Sequence, residues 1–133
     1  MTKAERKEWV LPGKKAALFC DAVQYNGLLF TSGLVARNAD GSVYCPGDGE
    51  AQARFIFENI KSVLALAGAG FQDIIKLTIY LRDMEDRVKI NPLREEYFQG
   101  TRPASTVVEV SMLAHPDLMV EMEVVAAAEN TGQ

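Results

Sequence analysis

Alternation of apolar and charged residues near the end of the chain most constrains the fold. In the run Arg102–Val125, RPASTVVEVSMLAHPDLMVEMEVV, two strand-like segments are joined by a short His-Pro-Asp turn. Successive side chains of a strand point to opposite faces, so Glu121 and Glu123 share one face, and the Val and Met residues around them share the other. Because glutamate is a poor strand former, this pattern indicates either an exposed face or a functional site.

The rest of the chain predicts two helices and further strands, in the order ββ(β)αβαββ. Asn26-Gly27 lies between two apolar runs, which is typical of a β-hairpin. Apolar positions with helical period predict a helix over Glu50–Ala67. The remaining elements are a second helix over Asp86–Phe98 and strands within Ala16–Tyr25, Leu28–Ala36, Ile74–Leu81, Ser105–Met112 and Leu118–Ala127.

Two of these elements contain residues that disturb regular structure. Gly33 lies inside the strand Leu28–Ala36, where glycine often marks a bulge or a close approach by a ligand or another backbone. Pro92 lies inside the second helix, where an interior proline costs about 3 kcal/mol. We therefore expect Asn91 to be the N-cap and Pro92 the first helical residue, so that this helix begins or kinks there.

The element order predicts an α+β fold, with two helices packed on one face of a mixed sheet. A chain of 133 residues fits a single domain, here residues 1–133. Within it, residues 1–15 read as a polar arm and residues 128–133 as a tail.

The strands carry more apolar residues than two helices on one sheet face could cover. We therefore expect a homo-oligomer that buries the other face. The apolar residues behind this expectation are Val107, Val108, Val110, Met112, Leu118, Val120, Met122, Val124 and Val125.

Charge and composition exclude several classes of partner. A net charge of −4 and a pI near 5.0 disfavour nucleic acid, which a basic surface would bind. No apolar run reaches the roughly 18 residues that span a bilayer, and the first residues do not read as a secretory signal, so we expect no membrane partner and a cytoplasmic location. Two distant cysteines and a single histidine, His115 in a turn, predict no metal and no cofactor.

A series of short motifs covers roughly residues 16–127. They are Leu29-Phe30-Thr31-Ser32-Gly33, Ala51-Gln52, Glu58-Asn59-Ile60 with Ala67-Gly68, Asp73-Ile74-Ile75-Lys76, Asn91 with Tyr97-Phe98, Arg102-Pro103-Ala104 and Leu118–Val125. In their order and spacing they resemble the Rid/YjgF family of reactive-intermediate deaminases, also described as L-PSP endoribonucleases. The resemblance implies the chorismate-mutase-like fold of the bacillus type, assembled as a homotrimer with active sites in the clefts between subunits.

The resemblance also implies a set of site residues. Glu121 matches the glutamate that orients or activates the attacking water in the deaminating members. Ser32, Gly33 and Asn91 match positions that line the pocket. Phe19 stands where a tyrosine occurs in the best-known member, and Val107 where a cysteine is common.

One position departs from the family pattern. In the deaminating members an arginine on the first closing strand binds the substrate carboxylate, and aligning Val108-Glu109-Val110 with that strand places Ser105 there. A guanidinium fork makes two charge-assisted hydrogen bonds of about 1.5–3 kcal/mol each. A simple 2-imino acid should therefore lose roughly two orders of magnitude in kcat/KM. Candidates to replace that arginine are Arg102, Arg37 and Arg54.

Two functions of different kinds follow from these residues. One is a Rid-like hydrolase or deaminase that acts on a small enamine, imine or related unsaturated metabolite, with Glu121 handling water and no arginine at position 105 for a substrate carboxylate. The alternative is a non-catalytic trimeric module that binds a metabolite or a protein. Ribonuclease activity is disfavoured because the chain is acidic and has no basic groove.

Overall fold

The computed structural model of the protein describes residues 5–14 and 17–129. The strands of this region form one sheet in the order β1-β2-β3-β7-β5-β6, with β4 also paired to β7. Only β5 and β6 run parallel, so the sheet is mixed, and two helices pack against it, which confirms the predicted α+β class. The elements are β1 (Arg6–Trp9), β2 (Ala22–Tyr25), β3 (Leu28–Thr31), β4 (Leu34–Val35), α1 (Gly49–Leu66), β5 (Ile74–Leu81), α2 (Arg87–Phe98), β6 (Ala104–Glu109) and β7 (Val120–Ala127).

The hairpin predicted at Asn26-Gly27 joins β2 to β3. Both turn residues have positive φ, 56° for Asn26 and 83° for Gly27. Asparagine and glycine tolerate this conformation, and a two-residue turn of this kind follows the twist of the flanking strands. The hairpin is therefore confirmed, with Tyr25 paired to Leu28.

The strand predicted over Leu28–Ala36 is interrupted by a bulge. Phe30 pairs with Val125 and Leu34 with Met122, so three residues of this segment, numbers 31–33, lie opposite two of β7, numbers 123–124. The Thr31 hydroxyl accepts a hydrogen bond from the Val124 N–H at 3.0 Å, which satisfies a donor that the bulge removes from the ladder. The prediction of a bulge at this glycine-containing segment is confirmed.

Strands β6 and β7 are not neighbours, although a short turn between them was expected. β5 lies between them, parallel to β6 and antiparallel to β7. Their connection is held by Gln52 of α1, whose side chain is buried. It donates to the Asp117 carbonyl at 2.9 Å and accepts from the Met119 N–H at 2.8 Å. These bonds fix the place where the chain enters β7, which β5 separates from β6.

The second helix begins at Arg87, so the prediction that it starts at Asn91 is wrong. A 3₁₀ turn over Met84–Asp86 precedes it and is capped by Asp83. Ile90, two residues ahead of Pro92, is 1% exposed. Burial of this turn offsets the cost of the proline, which occupies an interior position of the helix.

Both chain ends contribute more structure than expected. The polar arm predicted over residues 1–15 is wrong for Arg6–Trp9, which pairs with β2 and whose Trp9 indole N–H donates to Gln24. The tail predicted over residues 128–133 is wrong for Ala128, which is buried and donates its N–H to the Gly27 carbonyl. Backbone pairing with a sheet edge orders these segments despite their polar sequence. Residues 1–4, 15–16 and 130–133 lie outside the described residues.

The sheet has a covered face and an open face. Of the nine apolar residues behind the expected homo-oligomer, four are buried: Leu118, Val120, Met122 and Val124. Val107 also packs against that core. The open face carries Phe30, which is 44% exposed, and Val108, which is 38% exposed. The expectation of an uncovered apolar face therefore depends on fewer of those nine residues, together with Phe30.

Candidate active site

Glu121 lies on the open face of the sheet, at the centre of a paired region. Its register partners are Tyr80 on β5 and Val35 on β4. The side chain is half-buried, and burial raises the pKa of Glu121, with the charge of Glu123 raising it further. A carboxyl group with a raised pKa changes its protonation state more readily near neutral pH, which suits general acid–base chemistry.

The bulge places Gly33 directly against this carboxylate. A Cβ atom at position 33 would overlap the Glu121 Oε2 atom and lie 2.9 Å from its Cδ. The φ of Gly33 is not in the left-handed region, so glycine is required here for space rather than for backbone freedom. The close approach predicted at this glycine is made by the side chain of Glu121.

Ser32 ties the bulge to the segment that carries Phe19. The Ser32 hydroxyl donates to the Cys20 carbonyl at 2.6 Å, and its N–H donates to the Asp21 carbonyl at 2.9 Å. Phe19, next to Cys20 in the chain, is 67% exposed. Ser32 therefore positions the segment, and Phe19 presents an aromatic ring without protein cover.

Tyr80 and Glu123 extend this group and were not predicted as site residues. The Tyr80 hydroxyl lies 3.2 Å from Glu123 Oε1 and donates to it. Burial raises the pKa of Tyr80, and the charge of Glu123 adds to this. Their shared face follows from the pairing of β5 with β7, which the sequence alone does not specify. We call this set the carboxylate half-site: Phe19, Ser32, Gly33, Tyr80, Glu121 and Glu123.

The other predicted site residues lie on the opposite face of the sheet. Ser105 pairs in register with Leu77 and Val107 with Ile79, and both partners belong to the covered core. Since paired residues share a face, Ser105 and Val107 point towards the helices. Asn91 of α2 and Val107 line a shallow surface depression there.

Two arginines of α2 line the same depression, Arg87 and Arg94. Arg94 donates from Nη2 to the Ser105 hydroxyl at 2.9 Å. Burial lowers the pKa of Arg94, and the nearby charge of Arg87 lowers it further. A guanidinium keeps its proton in proteins, so both charges remain. We call this set the arginine cleft: Arg87, Asn91, Arg94, Ser105 and Val107.

The arginines that the sequence suggested as substitutes lie elsewhere. Arg54 forms a two-pronged ion pair with Glu96, at 2.8 and 3.0 Å. Arg37 donates to the Gly41 carbonyl at 2.7 Å, within its own turn. Arg102 is exposed and lines a wider cleft of about 590 Å³ that also includes Arg94. Arg94 was missed because only the tertiary packing of α2 on β6 brings it to Ser105.

The single histidine takes part in a turn. The Nδ1 atom of His115 accepts from the Asp117 N–H at 3.1 Å, which leaves the ring half-exposed in the connection before β7. Across residues 5–14 and 17–129, no group of three histidine, cysteine or acidic side chains could hold a metal ion. None of the helices in the same residues is long and apolar enough to cross a bilayer.

The fold and Glu121 define a class of small α+β proteins with a half-buried glutamate on the open face of a mixed sheet. Residues 13–128 match the family described as Endoribonuclease L-PSP, and the chain belongs to this family, which includes the Rid and YjgF proteins.

Named relatives and solved structures are similar along most of the chain. A protein of Acinetobacter baylyi named 3-aminoacrylate deaminase RutC is 34% identical over 123 residues, 90% of this chain and 97% of that protein. A RutC family protein of Pyrococcus abyssi is 35% identical over 84% of this chain and 87% of its own length. The crystal structure of the Rid family protein YyfA of Yersinia pestis, whose function is given as unknown, has a TM-score of 0.86 at 31% identity. That likeness covers 93% of this chain and all of YyfA.

Proposed function

We propose that this protein is a hydrolase that deaminates a small enamine or imine, with Glu121 as the group that handles water. The observation that most directly supports this proposal is the half-buried Glu121 carboxyl, which has a raised pKa and lies against Gly33 on the open face of the sheet. The similarity to a protein named 3-aminoacrylate deaminase supports the same reaction class.

The reaction needs one group that both accepts and returns a proton. An enamine first tautomerises to the imine, in which carbon is bound to nitrogen by a double bond. Glu121 takes a proton from water as the water oxygen adds to that carbon. Glu121 then passes this proton to the nitrogen. The carbon–nitrogen bond then breaks, ammonia leaves, and a carbonyl compound remains. A carboxyl group with a raised pKa serves both directions of this transfer.

We further propose that the site is completed between copies of the chain in a homotrimer. The carboxylate half-site and the arginine cleft lie on opposite faces of one sheet, so a single copy cannot present both to one small molecule. Phe30 and Val108 on the open face and Phe19 beside it are exposed apolar side chains that a neighbouring copy would cover.

Ammonia release from 3-aminoacrylate and from 2-aminoacrylate, each generated in the assay, tests the proposed activity. We expect Glu121→Gln to lower kcat by roughly 10²–10⁴-fold, the usual contribution of a general acid–base group. Glu109→Gln is the matched control, because Glu109 is an exposed strand glutamate that only accepts a hydrogen bond from the Met84 N–H. Glutamine retains an oxygen for that bond, so the control should keep its activity.

Two results would reject the proposal. One is turnover that the Glu121 substitution leaves unchanged. The other is binding of small unsaturated metabolites without turnover of any of them, which would favour the alternative, a non-catalytic binding module.

A further inference from the structure

The Arg94 side chain reaches Ser105, the strand position at which the family pattern has an arginine and this chain has a serine. Arg87, Asn91 and Arg94 are four and three residues apart, so they share one face of α2. From that face Arg94 donates to the Ser105 hydroxyl at 2.9 Å. A guanidinium therefore lies beside Ser105, supplied by the helix instead of the strand.

No carboxylate among the described residues neutralises the charges of this cluster. Among the described residues, neither Arg87 nor Arg94 has a carboxylate within salt-bridge distance. Arg54, by contrast, is fully engaged by Glu96. Of the five donors of the Arg94 guanidinium, the described residues provide an acceptor for one, the Ser105 hydroxyl. Two arginines of like sign beside one depression repel each other unless an anion lies between them.

We propose that Arg94, assisted by Arg87, binds the carboxylate of a small anionic substrate in the arginine cleft. This inference rests on the proposed function and narrows its substrate to a carboxylate-bearing enamine or imine. It also reverses the expectation, drawn from Ser105 alone, that the site has no arginine for a substrate carboxylate.

The shape and chemistry of the cleft favour a small planar anion. The depression is too shallow to enclose a ligand, so a carboxylate would contact the guanidinium groups from its open side. A guanidinium binds a carboxylate through two parallel hydrogen bonds. The Asn91 amide, on the same helix face, can donate or accept one more. The apolar Val107 bounds the cleft next to these groups, as expected where the unsaturated carbons of a substrate would lie.

Acrylate and acrylamide form a matched pair of probes, because they differ in charge and share their carbon skeleton. Neither carries an enamine nitrogen, so neither can be deaminated at carbon. Ligand-detected NMR titration of the intact, assembled protein would give the two affinities. We expect acrylate to bind better than acrylamide, and Arg94→Met to weaken acrylate by roughly 10–100-fold while leaving acrylamide unchanged. Lys89→Met is the control, since it removes one positive charge from an exposed position of the same helix.

Turnover separates this inference from the proposed function. Arg94→Met should raise the KM for 3-aminoacrylate at least about tenfold with a smaller change in kcat, whereas Glu121→Gln should lower kcat and still bind acrylate. Arg94→Lys should recover part of the affinity. Adding Ser105→Arg to the Arg94→Met variant should recover more, because it returns a guanidinium to the same place from the strand.

The inference is overturned if the wild-type protein binds acrylate no better than acrylamide. Equal weakening of acrylate by Arg94→Met and Lys89→Met would also overturn it, because the effect would then be one of net charge. A competition experiment gives a third such outcome. If inorganic phosphate displaced acrylate at a lower concentration than propionate does, the cleft would select phosphate over a carboxylate, and the inference would be overturned. In each of these cases, the proposed deaminase activity would still be supported if Glu121→Gln lowered kcat and Arg94→Met did not.

Discussion

The carboxylate half-site has its glutamates on β7, and the arginine cleft has Ser105 and Val107 on β6. Both strands pair with β5, yet they differ in how they are held. β7 is paired along both edges, and its residues alternate between the core and the open face. β6 is an edge strand paired only to β5, and five of its six residues are exposed. A side chain on β7 therefore has a neighbouring strand on both sides, whereas one on β6 has a neighbouring strand on one side only.

This difference shows which part of the site can change. Glu121 alternates with core residues on a central strand, so its position is fixed by the same pairing that stabilises the sheet. Ser105 occupies an exposed edge position, where an exchange of residue costs little stability. In the proposed arginine cleft the guanidinium comes from the adjoining helix and donates to Ser105 on this edge strand, away from the core.

The largest expected contrast is between the covered and the open face of the sheet. Val124 is 2% exposed beneath the helices, so Val124→Asp would bury a charge and should unfold the protein, at a cost of about 3 kcal/mol or more. Phe30 is on the open face, and Phe30→Asp should keep the fold but dissociate the proposed trimer. Circular dichroism and light scattering measure the two outcomes. A folded Val124→Asp protein, or an assembly that Phe30→Asp leaves intact, would contradict this division of faces.

A smaller contrast is expected at the bulge. Gly33→Ala adds a Cβ that only the end of the Glu121 side chain opposes, so the carboxylate can move aside at little cost in stability. We expect kcat/KM to fall about tenfold or more, because the acid–base group is displaced, with a nearly unchanged Tm. Gly70→Ala is the control, since its Cβ would meet only the flexible Gln72 side chain. Full activity in Gly33→Ala would show that the position of this carboxylate is not critical.

The smallest expected effect is on stability against pH. Burial raises the pKa of Glu121 in the folded protein, so the protonated form favours folding. That contribution is complete below the ordinary glutamate pKa of about 4.3 and is lost as the pH rises through the folded-state pKa. Glu121→Gln stays neutral and should raise the Tm at pH 7, with the difference vanishing below the ordinary glutamate pKa. Thermal unfolding across this range checks the sign, and an equal Tm at pH 7 would refute it.

Local patterns were predictable where neighbouring residues decide the structure. The strand Ile74–Leu81 and the hairpin at Asn26-Gly27 were predicted correctly, since periodicity and positive φ are properties of the segment itself. The start of α2 was wrong because burial of Ile90 outweighs the cost of Pro92, and burial depends on distant parts of the chain. The strand at Arg6–Trp9 was missed for a similar reason, since pairing with β2 orders a polar sequence.

The sequence by itself determined the faces of β7, the place of Glu121 opposite the core residues, and the glycine beside the bulge. Each follows from the two-residue period of a strand or from the absence of a Cβ. Only the tertiary structure decided that β5 separates β6 from β7, so that Tyr80 meets Glu123 and Ser105 faces the helices. It also decided that Arg94 reaches Ser105 across 11 positions of sequence. The physical reason is that strand order and helix docking are set by burial of the whole core, which no local pattern encodes.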